Sequence, residues 1–244
     1  MFKKAIEKLT GTKNETKLAP ETEALIRAIH ERSKDDPLIG AKIGSKEIFQ
    51  SLLNGMKNES GVHVESLLCA LGTLAGYSCQ ASLRAQAKSR HLADIVVFKI
   101  IKTKDNQKFF FGDALNNLLA NSQYSVWELA AGAAQHAGAK EFPDLNDIFQ
   151  HTTSVLGSNL FGIPRVPENH KAHDYPINYL KLLWPMLFPT LELFCPNPEN
   201  WPILYGLAIQ EAIEAGKSVI NPTLALTIIM ECAIPMSKVD FANL

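Results

Sequence analysis

The chain has 244 residues, 46% hydrophobic and 20% charged, with a net charge of −1. That is enough apolar material for a sizeable core without disulfides or structural metal, and it excludes an intrinsically disordered chain. The near-neutral balance gives no global attraction to nucleic acid or to an anionic membrane, so neither is expected as a partner.

The charge is uneven: 18 Lys and Arg stand against 13 acids in residues 1–120, and 6 against 12 in residues 121–244. Residues 1–18 read as a flexible basic arm, with no apolar leader core in "MFKKAIEKLT". Residues 19–244 are expected to form a single helical domain. Its first helix begins at "LAPETEALIRAIHERS", with Pro20 in a first-turn position, Glu21 and Glu23 early, and Arg27 and Arg32 late. "DDPLIGAKIG" reads as a turn-rich link, and Ser45 as the cap of a second helix carrying Ile48, Phe49, Leu52, Leu53 and Met56.

The segment from Val62 onward is the most informative. Val64, Leu67, Leu68, Leu71, Leu74 and Ala75 make an apolar face at helical period; Val62, Ser66, Cys69, Thr73, Gly76 and Gln80 make a second face of small or weakly polar residues. A helix apolar on one side and small on the other is covered on both, so this is expected to be the central helix of a bundle. Its Cys69 then serves as packing, while in the first turn the Glu65 carboxylate favours the helix dipole and His63 can be solvated. The 18 uncharged residues between Glu65 and Arg84 include Gly72, Gly76 and several hydroxyls, which argues against a membrane span.

"DIVVFKIIKTKDNQKFFFG", residues 94–112, is β-branched and aromatic around the turn pair Asp105-Asn106 and reads as one inserted β-hairpin. It needs cover from helices, or its edge pairs with another strand, a second subunit included. Helices then resume. Asp113 opens a short one, Ser125 and Glu128 form a capping box, and Pro143-Asp144 starts another that stops at Gly157.

Residues 158–176, with three prolines, are the longest irregular stretch and read as a lobe boundary or a functional loop. Beyond them Pro185 and Pro189 should kink or break the next helix. Asn197-Pro198 and Asn221-Pro222 each mark a helix start, Pro235 an end, and the last nine residues a tail. The fold class is therefore mainly α, a multi-helix bundle of about nine helices around a central small-residue helix.

Phosphate loops, dinucleotide fingerprints, zinc-protease helices and nucleophile elbows are absent from the sequence. Whether the chain is an enzyme stays open, and no cofactor is implied. The four cysteines (Cys69, Cys79, Cys195, Cys232) form no C-x-x-C pair, which suits a reduced, cytoplasmic setting; only Cys195, next to Pro196, reads as exposable. The reading favoured by the missing local chemistry is a non-enzymatic, protein-binding or self-associating module, with a homodimer among the expected assemblies.

The alternative is a small-ligand or metal-dependent enzyme or binder with its site in residues 158–184. Its metal candidates are His170, His173 and Asp174, near Glu168, because imidazole and carboxylate groups are transition-metal ligands. Its pocket candidates are Arg165, Tyr175, Tyr179, Trp184 and Trp201; the aromatics could equally be core residues.

Overall fold

The computed structural model describes residues 19–243, so the expected basic arm lies outside the described residues. The architecture is mainly helical with one two-stranded antiparallel hairpin. In chain order it runs α1 (Pro20–Arg32), α2 (Ile39–Met56), α3 (Val64–Ser89), the short α4 (Asp94–Val97), β1 (Lys99–Lys102) and β2 (Lys108–Phe111). Then come α5 (Asp113–Asn116), which runs into a π turn at Asn117–Asn121, α6 (Val126–His136), α7 (Leu145–Ser154), α8 (Pro176–Phe194), α9 (Trp201–Gly216) and α10 (Pro222–Met236). Among the described residues no helix is long and apolar enough to cross a membrane.

The 26-residue α3 is the axle, buried without interruption from Glu65 to Gln80. It packs on α10, α9 and α8. The small face expected from the sequence is where α10 comes in. A Cβ built on Gly72 would sit 2.5 Å from the Ile229 carbonyl oxygen, and one on Gly76 would run into the Ala233 carbonyl. Contacts therefore advance together along both chains, so α3 and α10 run parallel, and Gln80 Nε2 extends the series by donating to Ser237 O at 2.8 Å. Backbones this close are possible only where the side chain is a hydrogen atom.

Several boundaries differ from the sequence expectation. Helix α2 begins at Ile39 and Ser45 lies within it, donating to Lys42 O. Gly40 and Gly44, taken as turn residues, instead let α2 lie against the end of α8, where a Cβ on Gly40 would sit 2.5 Å from Phe194 O. The first strand is shorter than Ile95 to Ile101, because Asp94–Val97 forms a helical turn, with Asp94 paired to Arg84 at 2.9 Å. Lys99 then pairs with Phe111 and Lys102 with Lys108, around a turn in which Asn106 takes φ +62°. Helix α8 continues through both prolines. Pro185 and Pro189 fall four apart on its exposed face with Lys181, so water can satisfy the carbonyls they leave unbonded.

The C-terminal residues are not a tail. Ser237, Lys238, Val239 and Asp240 are buried, and Phe110 N–H donates to Lys238 O at 2.8 Å beside a Phe109–Val239 bridge. The hairpin is thus covered by the end of its own chain. Cys195 is likewise buried, and its carbonyl accepts from Trp201 Nε1 at 2.9 Å.

Candidate functional site

A cleft of about 400 Å³ lies where residues 163–175 cross the face of α3 and α10. Its floor is apolar, formed by Ile163, Pro164, Val166, Ala172, Ile228 and Cys69; its rim carries Glu168, His170, Lys171, His173, Asp174 and Tyr175.

The polar wiring starts in the first turn of α3. His63 is the N-cap, its Nδ1 accepting from Ser66 N–H at 3.3 Å, with Ser66 Oγ 2.9 Å away. An accepting Nδ1 places the ring proton on Nε2, which faces Glu65 Oε2 at 3.3 Å. The other carboxylate oxygen, Glu65 Oε1, takes His170 Nδ1–H at 2.9 Å. Ser66 Oγ accepts from His173 N–H at 3.0 Å, and the His173 ring stacks on His63 with centroids 3.9 Å apart.

One turn of helix therefore grips two histidines of a loop more than a hundred residues downstream. The first turn is not open to solvent: Glu65 is 8% exposed because the loop lies on top of it, and His63 is half-buried against the His173 ring.

The electrostatics follow from this packing. Burial would raise the Glu65 carboxyl, but the bond from His170, a backbone N–H of the first turn and the nearby imidazoles outweigh it and hold the group below its ordinary value. The His63 imidazole is held down, first by burial and then by His173, against the opposing pull of Glu65. Burial pushes the Tyr179 phenol up to about 12, with the neighbouring Ser66 hydroxyl pulling the other way.

Of the candidates from the sequence, His170, His173, Asp174 and Tyr175 line this cleft, and Arg165, Tyr179, Trp184 and Trp201 do not. His170 and His173 reach the same cleft by different attachments, and Asp174 accepts from Tyr175 N–H and Asn178 Nδ2, both at 2.7 Å. Among the described residues no three His, Cys, Asp or Glu side chains are grouped to hold a metal ion. Arg165 is occupied: its Nη2 meets Glu231 Oε1 at 2.7 Å and its Nη1 meets Asp147 Oδ2 at 2.8 Å. It straps the loop to α10 and α7, and these carboxylates outweigh burial to raise its pKa further.

Tyr175 is exposed on the cleft rim, whereas Tyr179 is buried beneath it. Trp184 and Trp201 are buried with their centroids 6.3 Å apart and are core aromatics outside the cleft lining. The residues the sequence reading missed as site components are His63, Glu65, Ser66 and Cys69. Comparison with known protein families, curated sequences and solved structures finds no match.

Glu65 and His170 are the pair in the cleft whose arrangement can support acid–base chemistry. With Nδ1–H committed to Glu65, a neutral His170 has its lone pair on Nε2. Among the described residues no protein group takes up that nitrogen. The arrangement is that of an imidazole oriented by a carboxylate, ready to accept or return a proton. Of the four thiols, only Cys69 lines the cleft; burial drives Cys79 and Cys195 up to about 12 and raises Cys232 well above its usual range.

Proposed function

We propose that this protein binds a small molecule with a nonpolar body and a polar group in the cleft under residues 163–175 and performs acid–base chemistry on it through His170. The observation that carries this reading is the 2.9 Å bond between Glu65 Oε1 and His170 Nδ1, made by a histidine that also lines the cleft. The carboxylate fixes the tautomer and the ring orientation. The apolar floor suits a ligand with a nonpolar body, and the Glu168–Lys171 pair at the rim, 2.6 Å apart, stays in water.

The test is a thermal-shift screen of a small-molecule library on the wild type, His170→Asn and Glu65→Gln. The expected result is a class of compounds that raises the melting temperature of the wild type and loses most of its effect on both variants, since a ligand of the native state alone raises stability. Equal shifts in all three proteins would remove the dyad from the function.

A second reading keeps protein association. Leu92, Ile95 and Val96 are exposed, the latter two at 74% and 65%, next to β1, which has no outer strand neighbour among the described residues. Exposed Lys99 and Lys102 at the two ends of β1 oppose edge pairing with a second copy and favour an acidic partner strand. Light scattering on the wild type and Ile95→Glu addresses this. A monomer in both cases counts against self-association.

A further inference from the structure

We propose that the stacked rings of His63 and His173 form a proton-operated clasp, holding the outer wall of the cleft against α3 at neutral pH and releasing it under mildly acidic conditions. The inference concerns regulation of the ligand site described above and draws its purpose from that reading, but its test requires no ligand.

The wall has little structure of its own. Between α7 and α8 the chain forms only a single 3₁₀ turn, Glu168–His170. Among the described residues its polar and ring contacts with α3 are the His170–Glu65 bond, the His173 N–H bond to Ser66 and the His63–His173 stack, beside the packing of Val166 and Ala172 on the core. Arg165 anchors the other end to Glu231 and Asp147. The clasp end and the strap end are therefore held by different chemistry, imidazoles at one and a guanidinium–carboxylate strap at the other.

The groups around the stack set the response. From α3, Glu65 faces His63 at 3.3 Å and is shared with His170 at 2.9 Å. From the loop, Lys171 is paired with Glu168, and Asp174 is turned to the start of α8. From α8, Tyr179 stays neutral beside Ser66. Glu231 on α10 is taken by Arg165. Glu65 is thus the one carboxylate in contact with the pair, and it already serves His170.

Protons on both His63 and His173 put like charges on rings whose centroids are 3.9 Å apart, with a single, already shared carboxylate to offset them. A charged His63 can no longer accept at Nδ1, so its cap on Ser66 N–H fails in the same event. Neutral rings stack and cap; doubly charged rings do neither.

Amide hydrogen exchange on the full chain at pH 7.5 and pH 5.0, corrected for intrinsic rates and followed by mass spectrometry, tests the clasp. The expected result is a loss of protection of about tenfold or more across 168–175, a local opening, with the α3 interior, 67–80, unchanged. His173→Phe keeps an aromatic ring on His63 and removes one titrating group, so its loop should stay protected at pH 5.0. His170→Asn should loosen the loop at both pH values without removing the pH step.

Equal protection of the wild-type loop at the two pH values overturns the proposal. So does a loss of protection that spreads to 67–80, which is global acid unfolding, or a His173→Phe loop that opens as the wild type does. Should His173→Phe not fold, the wild-type comparison still decides. A failed ligand screen leaves the exchange result standing, and a failed exchange result leaves the dyad standing.

Discussion

Two stretches of α3 use the same kinds of residue for opposite ends. In its first turn, His63, Glu65 and Ser66 reach out to a loop and hold it through three polar or stacking contacts. Two turns further on, Gly72, Thr73 and Gly76 reach nothing polar; the glycines meet α10 backbone, and Thr73 Oγ1 has no hydrogen-bond partner among the described residues. The sequence pattern of small and hydroxylated side chains is continuous across both. What separates them is the neighbour: an irregular, polar strand of chain above the first turn, a packed apolar helix beside the middle. A serine under a loop is a junction, and a threonine under a helix is filler.

The comparison is most easily broken in the middle of the helix. Gly76→Ala forces a methyl group into the Ala233 carbonyl, so α10 has to shift. The expected loss is about 3 kcal/mol or more, the upper range for overpacking, read by urea unfolding. Gly132→Ala, whose Cβ meets nothing within 4 Å on an exposed face of α6, should instead gain about 0.5–1 kcal/mol. Comparable effects at the two positions would refute the close-approach role of Gly76.

Next in size is the far end of the same interface. Lys238 is 1% exposed, donates to Asn116 Oδ1 at 3.0 Å, and is held by burial at about 8, below its ordinary 10.5. The unfolded chain therefore holds this proton more tightly between pH 8 and 10.5, and the native state gains stability as pH rises through that window. At pH 7 both states are charged and the full burial penalty applies, about 3 kcal/mol for this separation of pKa values. Lys238→Met should be more stable than the wild type at pH 7 by up to that amount, with the gap closing toward pH 10.5. Denaturation of both proteins across the range isolates the lysine from the phenols and thiols that titrate there.

A pair of hydroxyl deletions sharpens the contrast within α3. Ser66→Ala removes the acceptor for His173 N–H and the group beside His63 and Tyr179, and should cost about 1–2 kcal/mol. Thr73→Val removes a buried oxygen without a partner and should be neutral or stabilising by about 1 kcal/mol. The smallest effect is electrostatic. The depressed His63 imidazole contributes stability that is present above the ordinary imidazole value near 6.5 and is lost as pH falls through the lower native value. A His63→Gln protein should lack this slope, and chemical denaturation between pH 7.5 and 5 measures it.

The bundle was legible because its axle carries two faces at helical period, and Gly72 and Gly76 announce a close neighbour without naming it. That the neighbour is α10 was not legible, since nothing local links residue 76 to residue 233. The cleft was half legible. The loop with His170 and His173 stands out by composition, but its other half, His63 to Cys69, reads as an ordinary helix start until the loop is laid over it. Trp184 and Trp201 drew attention as large aromatics and belong to the core, which uses the same residues as a binding wall does. The prolines of α8 misled for a further reason: the cost of a missing N–H depends on whether water reaches the orphaned carbonyl, and Pro185 and Pro189 sit where it does.

The parallel pairing of α3 with α10 has a cost in time. Gln80 and Ser237, which close the interface, are 157 residues apart in the chain. At about 5–20 residues per second, a ribosome needs on the order of ten to thirty seconds to deliver the second helix after the first has emerged. Throughout that interval the longest helix among the described residues, buried from Glu65 to Gln80, stands without its closest neighbour, so the nascent chain has to be shielded or kept loose until α10 has been synthesised.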